Sequence, residues 1–342
     1  MIKKTIKYLS LVFLLYCLFC LTTPFNKLLR KRSIQNQINY LSEILDQGYD
    51  DQLQSRFPEG KLFSNSLLAL ATIEYCEKYE VPDQKYAEIV DKCVVRIQSK
   101  KALETFDPNM QPAYGMFYNG WSNYVYSQYI KSKLFNYSNI KENVVNASEL
   151  IENRLASIQT DSIRILDTYY DANWPADNMI GILSLNDEDL KNNWTKKILE
   201  TTKHESGLIH HSGYDVSEIR GASGAMISFY LNKSEFQNAS AYNKKFKDTF
   251  VDNFLGILLV KENEDGSDLT DVDSGPVLFG YGASATIMNI KTQASFGSSK
   301  SRITWAAMNL IAFPVNILGQ KYYLMKKEPM LDLFMLWAST EL

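Results

Sequence analysis

The sequence predicts an all-α fold preceded by an apolar N-terminal helix, and three observations favour it. Apolar residues recur at three- and four-residue spacing along most of the chain. The 342 residues include only 16 Gly and 9 Pro, too few for a sheet protein with many tight turns. No strand-length run of Val, Ile and Thr alternates with polar residues, and the periodic segments are joined by short connections.

The first thirty residues have the layout of a signal or signal-anchor segment. A basic start, MIKKTIKY, is followed by the apolar run LSLVFLLYCLFCL and then by TTPFNKLLRKR. No small-x-small cleavage site follows, which favours an uncleaved anchor over a removed signal peptide, the open alternative. We therefore divide the chain into an anchor, residues 1–31, and a helical domain, residues 32–342. The placement favours a body outside the cytoplasm, although basic residues flank the apolar run on both sides.

Beyond the anchor, helical periodicity marks about twelve segments with short connections, close to the usual helix length. They are Ile34–Leu45, Leu67–Tyr79, Tyr86–Ile97, Trp121–Ile130, Ile140–Leu155, Asn178–Leu185, Leu190–Thr201, Gly221–Leu231, Tyr242–Leu259, Gly282–Ala294, Ile303–Ile311 and Met330–Trp337. A second membrane span over Ile303–Leu318 is conceivable, but Pro314, Asn309 and Asn316 favour a buried helix there.

These segments are of two kinds. Some, such as 187–200, bear Lys and Glu on one face, whereas NMIGILSL (178–185), GASGAMISFYL (221–231) and GYGASATIMNI (280–290) are apolar or small on every side. A helix without a polar face must be surrounded by protein. Their alternation predicts an (α/α)6 toroid of about six hairpins, each with one outer and one inner helix. An ordinary helical bundle or solenoid is the alternative.

Composition excludes several classes of function. The net charge is −3, and the body has no blocks of Lys or Arg, which argues against a nucleic-acid partner. Four Cys cannot form a disulfide framework in a chain of this length. The sequence lacks the usual metal, nucleotide, nicotinamide and serine-hydrolase motifs, so we expect no metal and no cofactor. The expected partners are a small-molecule or sugar substrate and the membrane, and a homo-oligomer is left open.

Three polar loops, residues 169–178, 210–223 and 268–276, each lead into one of the all-apolar helices. In a toroid such loops meet at the mouth of a central funnel. Carboxylates opposed across a pocket can divide acid and base roles when their surroundings separate their pKa values. The predicted catalytic residues are Asp177 opposite Asp273, with Asp171, His211 and Tyr170 as further candidates. The predicted substrate-binding residues are Trp121, Tyr118, Trp174, His210, Tyr214, Arg220 and Asp271.

Each candidate also has a structural interpretation. An Asp before an apolar run is commonly a helix N-cap, which applies to Asp177 and Asp273. Arg220 has Asp215 and Glu218 as nearby ion-pair partners. His210 and His211 are adjacent and point their rings in different directions, so both cannot serve one site. The aromatic cluster at 113–129 is either core or the wall of a pocket for a sugar face or another apolar body.

Several segments together resemble the linalool dehydratase/isomerase family over roughly residues 114–295. They are GWSNYVYSQY (120–129), YYDANWPADNMIGILSL (169–185), ESGLIHHSGYD (205–215) with RGASGAM (220–226), YNKKFKDTFVD (242–252) and DVDSGPVLFGYGASATI (271–287). The resemblance implies an α/α six-hairpin toroid, a funnel site and extracytoplasmic residence. It retains Asp171 and the polar groups around residues 210–214.

The family's active site is not retained as such. Its two Cys correspond to Thr168 and Asp177 here, and a functional His corresponds to Trp121. The sequence therefore predicts a membrane-anchored toroid, a lyase or isomerase that acts on a small hydroxylated substrate by Asp-based acid/base catalysis. Two alternatives stay open: a carbohydrate-active enzyme (a glycosidase, lyase or epimerase) on the same scaffold, and a non-catalytic binding or scaffold protein.

Overall fold

The computed structural model describes residues 2–159, 164–214, 218–270 and 274–342, and in these ranges the protein is mostly helical. The predicted helical class is confirmed. The α-helices of the described residues are α1 (Ile2–Thr22), α2 (Lys27–Asp46), α3 (Tyr49–Arg56), α4 (Gly60–Tyr79), α5 (Gln84–Ile97), α6 (Lys100–Leu103), α7 (Gly115–Lys131), α8 (Lys141–Ile158), α9 (Pro175–Ser184), α10 (Glu188–Thr201), α11 (Gly221–Lys233), α12 (Ala239–Phe250), α13 (Ala283–Ser295), α14 (Lys300–Ile311) and α15 (Pro329–Glu341). The strands are β1 (Val251–Phe254), β2 (Ile257–Val260), β3 (Val277–Leu278), β4 (Tyr281–Gly282), β5 (Val315–Ile317) and β6 (Gln320–Tyr322).

Six helices, α4, α7, α9, α11, α13 and α15, are buried over most of their length, and we call them the buried helices. Each packs against the next one in chain order, and α15 packs in turn against α4. Six others, α2, α5, α8, α10, α12 and α14, keep one face in solvent. In the same order, α5, α8, α10, α12 and α14 pack on α4, α7, α9, α11 and α13, and α2 packs on both α15 and α4.

Glycines permit the closest approach between two buried helices, α7 and α9. A Cβ atom on Gly181 would lie 2.3 Å from the Met116 methyl carbon, and one on Gly120 would lie 3.0 Å from Cγ2 of Ile180. A Cβ atom on Gly120 would also lie 3.1 Å from the Asp177 carbonyl oxygen, so a larger residue there would force the two helices apart, whereas at Gly181 the Met116 side chain would have to move aside. The small residues of the apolar segments therefore lie where helices are crowded.

Aromatic contacts show how several buried helices are oriented. Phe63 near the start of α4 stacks edge-on with Phe117 near the start of α7, at 5.8 Å between ring centroids, and with Phe334 of α15, at 5.5 Å. Trp121, one turn further along α7, contacts both Phe63 and Trp337 of α15. Because the early turns of α4, α7 and α15 meet one another, these helices begin at the same end of the bundle.

Near the other end of these helices, a fully buried ammonium group joins α13 to α4 and α15. Lys291 Nζ lies 2.7 Å from Oε2 of Glu74 and 3.6 Å from Oε2 of Glu341, and it donates a hydrogen bond to the Trp337 carbonyl. It also lies 4.6 Å from the centre of the Trp337 ring. A buried charge is tolerated only when it is paired and hydrogen-bonded, so this cluster fixes the relative position of the three helices.

One predicted helix was wrong in its second half. The segment predicted as helix over Tyr242–Leu259 leaves the helix at Phe250 and forms the antiparallel hairpin β1–β2. The turn places Leu255 and Gly256 at φ of 50° and 89°, and the Gly256 N–H donates to Oδ1 of Asn253. These positive φ values are incompatible with a right-handed helix. The all-α class holds in part, since β3–β4 and β5–β6 form two further short hairpins beside the helices.

The apolar N-terminal helix is present as α1. Its stretch Lys7–Phe25 is long and apolar enough to cross a membrane. Residues 7–15 are exposed, whereas Cys20 is buried against the body, and α1 packs along α14. Cys17, Cys20, Cys76 and Cys93 are free thiols.

The cluster around Lys291 predicts a large and asymmetric effect of substitution. We expect Glu74→Gln to lower the free energy of unfolding by about 3 kcal/mol, because it leaves a buried ammonium group without its nearest carboxylate. The measurement is chemical denaturation of the full chain in detergent micelles, followed by circular dichroism.

The double variant E74L/K291M is the matched control. It removes both charges and keeps the volume, so we expect it to recover most of the lost stability. A loss below about 0.5 kcal/mol for E74Q, the range of ordinary surface substitutions, would show that the pair does not hold α4 against α13.

Candidate functional site

The start of α9 places a carboxylate inside the protein. Trp174 is the N-cap residue and Pro175 is the first helical residue, so Asp177 lies in the first turn and does not occupy the N-cap position. The side chain is nearly enclosed, since Asp177 is 8 % exposed. Proline at this position suits the fixed φ of a helix start, and an acidic group in the first turn is favoured by the helix dipole. The local sequence W-P-A-D thus accounts for both the helix start and the buried carboxylate.

His211 links the start of α9 to the start of α11. Its Nε2 accepts a hydrogen bond from Trp174 Nε1 at 3.3 Å, and its Nδ1 lies 2.7 Å from Ser223 Oγ in the first turn of α11. Since an indole N–H can only donate, Nε2 must be unprotonated, and the ring proton is assigned to Nδ1, which donates to Ser223. His211 is therefore a neutral imidazole that positions Trp174.

The surroundings of His211 stabilise this neutral form. Burial disfavours the imidazolium and lowers the pKa of His211 to about 4, and the Arg220 guanidinium lowers it further, while Glu218 acts in the opposite direction. Arg220 itself pairs with Glu218, with 2.5 Å between Nε and Oε1, which was one of the two predicted pairings. Arg220 is also the N-cap residue of α11.

An aromatic wall continues from Trp174 toward α7. Tyr169 packs edge-on against Trp174 at 5.5 Å and stacks with Phe117 at 5.9 Å and with Phe106 at 6.2 Å. Tyr169 and Trp174 are half-buried, so part of each ring faces solvent. Tyr118 packs against Phe106 and is 8 % exposed. The wall thus runs from a half-open edge to the closed interior.

Other predicted residues lie at the rim or in the core. Tyr170 is 75 % exposed, and Asp171, also exposed, takes a positive φ of 52° in the turn that joins Tyr169 to Ala172. Tyr214 is exposed and donates to Asp167 Oδ1 at 2.6 Å, which raises its pKa to about 12. Trp121 is fully buried among aromatic rings.

The two adjacent histidines diverge. His210 is buried and packs its ring against His204 at 5.4 Å between centroids, whereas His211 faces Trp174. This agrees with the expectation that one site cannot use both. Asp271 and Asp273, together with Asp215, lie outside the described residues, so the predicted opposition of Asp177 and Asp273 stays a prediction.

Sequence reasoning missed two polar groups at this site. Ser223 was taken only as a small residue of the motif GASGAM, although its hydroxyl contacts His211. Tyr230 of α11 is fully buried, and its hydroxyl has no hydrogen-bond partner among the described residues. Burial is the main cause that raises the pKa of Tyr230, with smaller contributions from Tyr124 and Asp177. Tyr230 lies on α11, which packs against α9, the helix that carries Asp177. The sequence gives no signal for such a group, because a Tyr within an apolar helix looks like an ordinary core residue.

A comparison of the chain with models of protein families gives no match, and a comparison with curated protein sequences gives none either.

The depressed pKa of His211 predicts a pH dependence of stability. The ordinary value is 6.5, so between pH 6.5 and 4 the unfolded chain binds a proton that the folded chain does not. Stability is therefore full above pH 6.5 and falls as the pH is lowered toward 4, by about 3 kcal/mol.

The variant His211→Asn separates this group from the carboxylates that titrate in the same window. Urea unfolding at pH 4.5 and 7.5 measures the change in unfolding free energy, and we expect that change to be smaller in H211N. Equal pH dependence in both proteins, or an imidazole resonance of His211 that titrates near 6.5 by NMR, would contradict the burial of a neutral ring.

Proposed function

We propose that the chain is a membrane-anchored α/α six-hairpin toroid enzyme, a lyase or isomerase that acts on a small hydroxylated substrate. The cyclic order of contacts among the buried helices supports the toroid. The packed pairs are α4 with α5, α7 with α8, α9 with α10, α11 with α12, α13 with α14 and α15 with α2, which gives six two-helix units. In each pair the first-named helix is buried and the second is half-exposed.

The observation that supports a catalytic site is a buried carboxylate on one buried helix and a buried, unsatisfied hydroxyl on the helix packed against it. Asp177 on α9 is 8 % exposed, and the Tyr230 hydroxyl on α11 has no hydrogen-bond partner among the described residues. A buried hydroxyl without a partner costs free energy, and such groups persist where a ligand or water satisfies them. We assign Asp177 as the group that exchanges a proton with the substrate and Tyr230 as a donor to its oxygen.

The aromatic wall that includes Trp174, three residues before Asp177, supports the proposed substrate class. Tyr169, Trp174 and Phe117 offer apolar ring faces and edges, and His211 holds Trp174 in place without contributing a charge. A site of this composition suits a molecule with an apolar body and one or two hydroxyl groups. Acid/base exchange at such a hydroxyl leads to elimination of water or to isomerisation.

A carbohydrate-active enzyme is the second candidate. The rings of Tyr169 and Trp174 are half-buried and lie at 78° to each other. Their partly exposed surfaces are of the kind on which the face of a sugar ring packs. The partly open position of these two rings, compared with the enclosed Asp177, is the observation that favours it.

Substitution at Asp177 tests the proposal. The full chain in detergent is incubated with a panel of terpenoid and other allylic alcohols and, separately, with oligosaccharides, and the products are identified by mass spectrometry. We expect conversion of an alcohol, with Asp177→Asn at least 100-fold slower because general acid/base catalysis contributes about 10²–10⁴. We expect Tyr230→Phe, which removes one buried oxygen and keeps the ring, to be about 10-fold slower.

The matched control is Asp248→Asn, an exposed carboxylate on α12, for which we expect unchanged turnover. Thermal unfolding of all three variants shows whether each is folded. Wild-type turnover in folded D177N would exclude Asp177 as the proton-transfer group. Cleavage of an oligosaccharide in place of an alcohol would favour the second candidate, and stabilisation by a panel member without turnover would favour a binding protein.

A further inference from the structure

The part of α1 that is free of the body on every side is too short to cross a bilayer by itself. From Tyr16 onward one face of the apolar stretch Lys7–Phe25 is partly or fully buried, while Leu18, Phe19 and Leu21 remain 40–49 % exposed. Residues 7–15 are all exposed, and at 1.5 Å per residue they span about 13 Å, less than half of the hydrocarbon thickness of about 30 Å. If α1 crosses the membrane, the remaining part of the stretch must do so alongside the body.

From Tyr16 onward α1 is held against the segment that follows α14. The Tyr16 hydroxyl donates to the Pro314 carbonyl at 3.2 Å, and its ring lies 5.3 Å from that of Phe313. One turn later the Cys20 carbonyl accepts from Asn309 Nδ2 at 3.4 Å, and Cys20 is fully buried. The second half of the apolar stretch thus packs one face against the body and leaves Leu18, Phe19 and Leu21 exposed, and the body residues that it contacts lie at the same depth as α1.

The body surface around this contact is strongly apolar. Its exposed residues, which we call the α1-side surface, are Ile311, Phe313, Ile317, Leu318, Leu324 and Met325. Leu318 at the tip of the β5–β6 hairpin is 95 % exposed, and Ile311 at the end of α14 is 74 % exposed. The N–H of Leu324 donates to the Ala312 carbonyl, which places Leu324 and Met325 beside the end of α14. A group of six exposed apolar side chains on one side of the body is typical of a contact surface.

Some polar groups near this contact are buried, whereas others are exposed or half-exposed: Asn316 lies beside Ile317, and Asn39 and Glu43 of α2 form hydrogen bonds with the turn that carries Leu318. Asn309 and Lys321 are each 2 % exposed, with the Lys321 ammonium group donating to the Tyr323 hydroxyl beneath the surface. Exposed basic residues instead lie beside it in sequence: Lys326 and Lys327 directly follow Met325. Apolar side chains flanked by Lys are typical of proteins that lie in a membrane interface.

We propose that the α1-side surface is immersed in one leaflet of the membrane together with α1. The body is then a monotopic domain embedded in the bilayer by its own loops, and it is not a globular domain held away from the membrane by a tether. The occupant of this surface is bilayer lipid, because the surface is continuous with the segment that is long and apolar enough to span it. This inference is independent of the reaction proposed above.

Site-directed spin labelling of the full chain measures the depth directly. In a Cys17→Ser background, single labels are placed at Leu318→Cys and Met325→Cys, and the protein is reconstituted in nanodiscs of neutral and anionic phospholipid. Collision with oxygen, which partitions into lipid, is compared with collision with a water-soluble nickel complex. We expect oxygen collisions to exceed nickel collisions several-fold at both positions. Both side chains are exposed, so substitution does not disturb packing.

Two further labels provide the controls. Leu11→Cys on the projecting part of α1 should report lipid, and Leu150→Cys on α8, which is 60 % exposed, should report water. A label at Leu318 that reports water while the label at Leu11 reports lipid would overturn the proposal and leave a tethered body. Water at both positions would overturn it as well, since α1 would then not be in the membrane.

Discussion

The architecture depends on one buried positive charge. Lys291 on α13 is surrounded by Glu74 on α4 and by Trp337 and Glu341 on α15, so one side chain connects the first buried helix with the last two. Thr340 and the Trp337 indole also donate to Glu74, which satisfies both of its oxygens. Packing alone would allow these smooth apolar helices to slide, whereas directional bonds to a charge permit a single arrangement.

The two ends of the buried helices differ in chemistry. The Lys291 cluster is closed and fully paired, as expected of a structural element. Near the helix starts, Asp177 is buried and the rings of Tyr169 and Trp174 remain partly open, whereas the Tyr230 hydroxyl, unsatisfied among the described residues, lies in the last turn of α11. The α1-side surface includes Leu324 and Met325, which lie five and four residues before the first residue of α15, so the proposed membrane contact lies near the start of that helix.

The sequence predicts most of the helices because each kind has a pattern that extends over ten or more residues. Helices with one solvent-exposed face alternate polar and apolar residues at helical spacing, and buried helices are apolar on every side. The prediction fails after Phe250, where the apolar run continues but Asn253 and Gly256 form a hairpin turn that the pattern does not register. At the site, the two loops that contain Trp174 and His211 are predicted from polar residues that precede apolar helices. Ser223 and Tyr230 are not predictable in this way, since both lie inside the apolar helix α11 and their surroundings are set by the tertiary fold.

The separation in sequence of the contacting groups also constrains how the protein is made. Lys291 meets Glu74 across 217 positions, and Pro314 meets Tyr16 across 298. A growing chain on the ribosome would therefore expose α4 and the apolar face of α1 for most of its synthesis, because the segments that pack against them are not yet translated. Early delivery of α1 to a translocon, or protection by a chaperone until the last hundred residues emerge, would prevent these surfaces from associating with other nascent chains.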